Sequence, residues 1–427
     1  MESDAMRDEQ PVESGKVFLF LQGVASPLFA RLADELEHRG HHCLRINFCP
    51  GDRLFWRRAG ATNYVGRYDE WPAYIREFLE ANEVTDLVLF SDVRPLHSLA
   101  CREAQRQGIR VHVFEEGYLR PYCLTVDLGG ANGYSSLPTS AEGFLAAHGH
   151  DTPVHQVPPV PISFFHRAIW DVSNHACNLA LPTLHPHYEP HRPHHPLREL
   201  HGWSRRVLRR HLLGERGRHL ALLSRFLQTN QPFFLLPLQL DSDSQITLHS
   251  DFRDLEEVMD TILASFAAHA PADHHLVVKC HPLDNDLVPR GPQTRRIAAK
   301  HGVLSRVVFV DGGHLPTLLT RTKGMVTVNS TVAISAFDHA CPTKALGRAI
   351  YNFEGLTSQA SLDEFWNKPL APDPKVYRAF RATLLERCLV HGSFYSAQGV
   401  ALAVRHGADL LQNRSSSRAG SPTKPDS

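Results

Sequence analysis

The chain has 427 residues, 42% of them hydrophobic, enough to bury two ordinary cores, so two or three domains are expected rather than one. Lys plus Arg and Asp plus Glu both total 45, which leaves no global field for nucleic acid or for trapping acidic ligands, so any anion site has to be local. The eight cysteines form no C-x-x-C pair, Met1–Ser14 is polar and acidic rather than a signal peptide, and no apolar run approaches the ~20 residues of a membrane-spanning helix. A reducing cytosol with at most peripheral membrane contact is the expected setting.

Short β-rich runs at Val17–Leu21, Leu44–Phe48, Asp86–Phe90 and Arg110–Phe114 alternate with helical periodicity at Pro27–Arg39, Trp71–Ala81 and His97–Gln107. That alternation predicts a doubly wound α/β domain over residues 15–150. Residues 151–230 are rich in His, Pro and Arg, with His185, His187, His191, His194, His195 and His201 close together. Their spacings match no defined zinc pattern, so a helical and loop insertion or linker is predicted, with a metal role the lesser alternative.

A second alternation has strands at Phe233–Leu236, His275–Cys280, Arg306–Val310 and Gly324–Val328, and helices near Leu255–Ala268, Thr294–Lys300 and Leu315–Thr320. It predicts a second Rossmann-like domain with closing helices over residues 231–412. Residues 413–427 hold Ser, Arg, Pro and Lys without an apolar period and are expected to be a disordered tail.

Ligands of parallel sheets gather at the carboxyl ends of the strands, and four segments there carry candidate chemistry. Glu115-Glu116-Gly117-Tyr118-Leu119-Arg120-Pro121 sets two adjacent carboxylates before a glycine able to take positive φ. This is a candidate general-base turn in which the acids raise one another's pKa and Arg120 restrains that rise; a solvated acidic turn would look the same. Lys279-Cys280-His281-Pro282 ends a buried strand in a point charge for phosphate, an imidazole to donate to a leaving oxygen, and a proline that fixes the backbone.

Asn329-Ser330-Thr331 carries a strand into a helix whose hydroxyls either cap it or join free N–H groups in meeting an anion. Phosphate binding accounts for this segment together with Lys279 and His281. Pro237-Leu238-Gln239-Leu240-Asp241-Ser242-Asp243 offers a nucleophilic carboxylate or merely an Asx turn. The absence of G-x-x-x-x-G-K-[ST], of G-x-G-x-x-G after the first strand and of H-E-x-x-H removes support for nucleoside triphosphate hydrolysis, dinucleotide redox chemistry and zinc proteolysis.

Glu-Glu-Gly and His-Pro resemble the acidic-acidic-glycine and HP motifs of bacterial transferases that use CMP-activated sugars. Taken in order from Phe20-Leu21-Gln22-Gly23 to Gly392-Ser393-Phe394-Tyr395, the segments resemble the capsule polysaccharide biosynthesis family of β-Kdo transferases in its single-module, KpsS-like form. The resemblance implies a GT-B-like α/β enzyme, two Rossmann-like domains facing a central cleft. It implies retaining transfer of Kdo from CMP-β-Kdo to a (lyso)phosphatidylglycerol acceptor, starting the oligo-Kdo linker of a capsule at the cytoplasmic face of the inner membrane.

Implied partners are the donor CMP-Kdo, the lipid and a capsule biosynthesis and export complex, with no nucleic acid, no metal and no cofactor besides the donor substrate. Matched onto this chain, Glu115 is the base with Glu116 as alternate. Asp243 is the nucleophile with Asp241 as alternate, and His281 serves the leaving phosphate. Gln239, Lys279, Pro282, Asn329, Ser330 and Thr331 are expected on the donor, and Gly23, Gly117, Tyr118 and Arg120 on the acceptor or the Kdo carboxylate. The stretches Arg53–Arg58 and Trp203–Arg210 suit either an anionic lipid surface or a solvated face.

Overall fold

A computed structural model describes residues 15–149, 156–190, 196–240, 246 and 249–413. The tail expected after Asn413 lies outside the described residues, as do Asp241, Asp243 and the histidines at 191, 194 and 195.

The first sheet is built from β1 (Val17–Phe20), β2 (His42–Asn47), β3 (Ala61–Asn63), β4 (Asp86–Phe90), β5 (Arg110–Glu116) and β6 (Cys123–Leu128). Its parallel part runs β3-β2-β1-β4-β5, the Rossmann order, which leaves a switch point between β1 and β4. The central strand β1 is apolar on both faces because both faces are covered. Phe18 and Phe20 join one core with α1 (Leu28–His38), while Leu19 joins the opposite core with Trp71, Ile75 and Leu79 of α3 (Trp71–Ala81). Between these helices lies α2 (Pro50–Phe55), and α4 (Pro95–Arg106) follows β4.

The second sheet, β7 (Phe233–Pro237), β8 (His275–Lys279), β9 (Val307–Val310), β10 (Gly324–Thr327) and β11 (Thr343–Ala345), repeats the order as β9-β8-β7-β10-β11. Its switch point lies between β7 and β10. Phe234 and Leu236 face one core, Phe233 and Leu235 the other.

The expected domain limits are corrected at three places. Residues 389–413 do not close the second domain. The strand β12 (Leu389–His391) adds antiparallel to β6 at the edge of the first sheet, and the helix Ala397–Asn413 puts Val400, Ala403, Ala408 and Leu411 against Phe18, Phe20 and Leu32. An open sheet edge and the bare outer side of α1 are the physical reason. The helix α5 (Ala141–His148) sends Phe144 into the second core, stacked on Phe353 and edge-on to Phe380.

Nor is the stretch 151–230 a single insertion. The helix α6 (Phe164–Ala180) lies on α2, with the Gly51 N–H donating to Asn178 Oδ1 at 2.7 Å. The helix α7 (Pro196–Val207) leads to α8 (Glu215–Gln228), whose Leu223 and Phe226 belong to the second core.

Candidate active site

Both switch points are bridged by side chains. After β4, Arg94 Nη1 donates to Gln22 Oε1 at 2.9 Å and to the Gly23 carbonyl at 3.2 Å, tying it to the segment after β1. Gln22 Nε2 donates in turn to Asp52 Oδ2 at 3.2 Å, and Asp52 is held by the buried Arg45. Gly23 has no room to spare, since a Cβ would stand 3.0 Å from the Phe29 ring. In the second sheet the Asn329 N–H, after β10, donates to Oε1 of the buried Gln239, after β7, at 3.2 Å, and Asn329 Nδ2 donates to the His249 carbonyl at 2.8 Å.

Glu115 and Glu116 end β5 with side chains on opposite faces, as successive strand residues must. Glu115 turns toward Ser91, Asp92 and Arg94. Burial first, and then the Asp92 charge, push its carboxyl up to about 8, against the opposing pull of Ser91 and Arg94. Glu116 pairs with Arg120 at 3.4 Å and with Arg167 of α6 at 3.0 Å, and Arg167 lies over the Tyr395 ring. The expectation that Arg120 restrains Glu115 is therefore corrected, because its ion-pair partner is Glu116.

Two further expectations change in the same turn. Gly117 is required by close approach rather than by positive φ, since a Cβ there would lie 1.9 Å from the Cys123 carbonyl oxygen. Tyr118 is buried beneath the turn, its N–H donating to Thr125 Oγ1 at 3.0 Å and its hydroxyl accepting from the Asn132 N–H at 2.9 Å, so it props the motif and does not face an acceptor.

In the Lys-Cys-His-Pro turn the Leu283 N–H donates to His281 Nδ1 at 3.0 Å. That nitrogen must carry a lone pair, so the proton of the neutral ring sits on Nε2 as a donor. Burial, reinforced by Arg120, Lys279 and Arg206, pulls His281 down to about 4, which keeps it neutral near pH 7. The turn is clamped from behind by buried Arg206 of α7, whose Nη2 donates to the His281 carbonyl at 3.3 Å, the Pro282 carbonyl at 3.2 Å and Asp311 Oδ1 at 3.2 Å.

Lys279 is buried, its pKa lowered by burial, and no carboxylate pairs with it among the described residues. It lines a cavity of about 340 Å³ with Arg210, Arg216, His314 and Asp311, in which one carboxylate faces three cations, a recess with a net positive charge suited to an anion. Ser330 and Thr331 give less than expected. Ser330 Oγ accepts from the Val332 N–H at 3.3 Å and its carbonyl accepts from the Tyr351 hydroxyl at 2.7 Å, while Thr331 makes no side-chain cap. The one predicted helix-start hydroxyl that bonds here is thus spent locally.

The two domains meet at these ends. His281 from the second lies within electrostatic reach of Glu116 and Arg120 from the first, and the Tyr134 ring packs edge-on to His249 with centroids 5.1 Å apart. Arg94, Arg167 and His249 were not singled out by sequence, although Arg94 stands just before Pro95; Arg206 lies in the run Trp203–Arg210 expected at a lipid surface or solvated face, and that expectation is corrected, because Arg206 is buried behind the His281 turn. His185, from the histidine-rich stretch, is buried with Nδ1 3.1 Å from the Tyr64 carbonyl, a structural placement. Among the described residues, no group of three or more His, Cys, Asp or Glu side chains is arranged to hold a metal ion.

Two Rossmann-like domains, with an acidic pair on one and a Lys-x-His-Pro turn on the other at facing strand ends, define a GT-B-like α/β protein. The chain belongs to the capsule polysaccharide biosynthesis protein family, whose description it matches over residues 85–395. It is 34% identical over 384 residues to the capsule polysaccharide export protein KpsS of Escherichia coli, covering 90% of this chain and 97% of that one. It is also 34% identical over 394 residues to the capsule polysaccharide modification protein LipB of Neisseria meningitidis serogroup B, covering 90% and 93%. Among solved structures it is similar to a β-Kdo 2,7 transferase, KpsC of Thermosulfurimonas dismutans, at 14% identity and a TM-score of 0.43, covering 93% of this chain and 99% of that one.

Proposed function

We propose that the protein is a retaining β-Kdo glycosyltransferase that moves Kdo from CMP-β-Kdo to a (lyso)phosphatidylglycerol acceptor, starting the oligo-Kdo linker of a capsule at the inner membrane. The observation that carries the reading is His281, a neutral imidazole with its proton on Nε2, set across the cleft from Glu116 and Arg120. A departing CMP phosphate needs a donor and a counter-charge, which His281 and the buried Lys279 supply. Gln239 and Asn329 hold the floor beneath the donor, with Ser330 and Thr331 beside it.

On the facing side Glu115 takes the proton of the attacking glycerol hydroxyl, and a carboxyl held near 8 is well matched to that task. Arg120 meets the Kdo carboxylate. Retention follows from double displacement with Asp243, or Asp241, as the nucleophilic carboxylate.

The name of the Escherichia coli relative, an export protein, favours a second reading, a non-catalytic member of a capsule export complex. Incubation with an in situ supply of CMP-Kdo and a fluorescent lysophosphatidylglycerol separates the two. The expected result is a mass shift of one Kdo. No adduct from wild-type protein would leave the export reading, and an adduct formed only with a different nucleotide sugar would change the donor.

A further inference from the structure

The helix α6 is amphipathic in the reverse sense for a globular protein. Its polar side turns inward, where Asn178 accepts from the Gly51 N–H, Asn174 abuts Gly51 and Arg167 pairs with Glu116. Its apolar stripe, Phe165, Ile169, Val172, Ala176 and Leu179 at helical spacing, faces outward; Phe165, Val172 and Leu179 are 70%, 67% and 72% exposed. The stripe is about 21 Å long at 1.5 Å per residue, and exposed Ile162 and Phe164 before it and Leu181 and Leu184 after it extend it at both ends. No bare stripe of this kind remains on a helix whose surroundings are water alone.

We propose that this face of α6 is a docking surface for an anionic phospholipid bilayer. Charge selects this occupant. The inward side of α6 lies on α2, where Phe55 meets Trp170, and α2 and the turn after it carry the exposed Arg53 and Arg57. On α6 itself one border of the stripe carries the Asp171–His175 pair at 3.9 Å, so the cations come from Arg53 and Arg57 of the neighbouring segment, and an apolar stripe with arginines nearby is the layout of a helix lying in a lipid interface. A second copy is disfavoured, because a two-fold contact sets the patch against itself and brings the same arginines face to face. The inference rests on the lipid-acceptor reading only for what the surface delivers: Arg167, in the first turn of α6, bonds Glu116, so a bilayer seated on the stripe holds its headgroups beside the acidic turn.

The test uses the full chain and co-sedimentation with vesicles of phosphatidylglycerol and phosphatidylethanolamine, against vesicles of phosphatidylcholine alone. The triple variant Phe165→Ser, Ile169→Ser, Val172→Ser changes only exposed side chains, and its circular dichroism should match wild type. Its partition onto anionic vesicles is expected to fall at least tenfold, and Arg53→Glu with Arg57→Glu is expected to abolish the preference for anionic over neutral vesicles. Equal binding by wild type and the triple variant overturns the proposal, as does failure of wild type to bind at low salt. Lipid-free self-association that the triple variant abolishes also overturns it and assigns the stripe to a second copy. Kdo transfer to soluble dihexanoyl phosphatidylglycerol should stay within about twofold in the triple variant. If wild type transfers to neither acceptor, the Kdo reading fails, while the vesicle result still decides the surface.

Discussion

Glu115 keeps its proton through most of the neutral range, because burial and Asp92 push its carboxyl up to about 8. Two consequences follow from that one number. As a base it works only when ionised, so the transfer rate should climb about tenfold per pH unit below pH 8 and level off above it. Stability moves the other way. Between about 4.5, the ordinary value, and 8, the folded protein holds the proton and the unfolded chain does not, so stability is full below that window and falls as pH rises through it. Glu115→Gln imitates the protonated acid. It should abolish transfer while flattening the fall in Tm from pH 5 to pH 8, and a variant that keeps the wild-type Tm profile would remove the buried-acid account.

His281 is a donor whose worth appears only when charge builds on the leaving phosphate, so His281→Ala should lower kcat about a hundredfold or more with little change in CMP affinity. A loss below tenfold in single-turnover kinetics would move the phosphate elsewhere, with the cavity lined by Lys279 and Arg210 the next place to look.

At the scale of elements, the turn between β5 and β6 explains why the acidic motif ends in glycine. The Cys123 backbone crosses so close to Gly117 that any side chain must push the two strands apart. Gly117→Ala should therefore cost about 3 kcal/mol or more in urea unfolding, an overpacking cost that relaxation cannot absorb because the obstacle is main chain. The sequence announced this glycine but for the wrong reason, since positive φ is the commoner demand and close approach needs a partner strand to be known.

The long elements were legible for a plain reason. Trp71–Ala81 repeats Trp71, Ile75 and Leu79 every four residues, and after Asp86 the strand Asp86–Phe90 is apolar because helices cover both its faces. The strands β3, β11 and β12, three residues each, were not, because strands so short owe their existence to the strand they pair with, and β6 was missed as well. The same holds in the site: Lys279 and His281 sit where a strand visibly ends, whereas Arg206 acts across 75 residues of sequence and only the fold brings it to the His281 carbonyl.

For the whole molecule, residues 389–413 cross back to the first domain and α5 joins the second core ahead of α6, which packs on α2, so neither half of the cleft is a continuous piece of chain. The first sheet is completed by β12, and its α1 face is covered by the last helix, which also ties the amino end through Lys16 Nζ donating to the Gln412 carbonyl at 2.7 Å. A truncation ending at Cys388 removes Val390, Phe394, Val400 and Leu411 from the core around Phe18 and Phe20. At roughly 1.5 to 3 kcal/mol for each large side chain, the loss is at least about 6 kcal/mol. That is comparable to the entire stability of an ordinary domain. The first domain should then lose its tertiary structure while β7, β8 and β10, whose cores lose only the peripheral Leu389, keep theirs. Hydrogen exchange resolves the two halves: amides of β1 and β4 should exchange within seconds in the truncated protein and those of β8 should remain protected. Protection persisting in β1 would mean that the last helix merely rests on α1, and the cleft would then be built from two self-sufficient domains joined once.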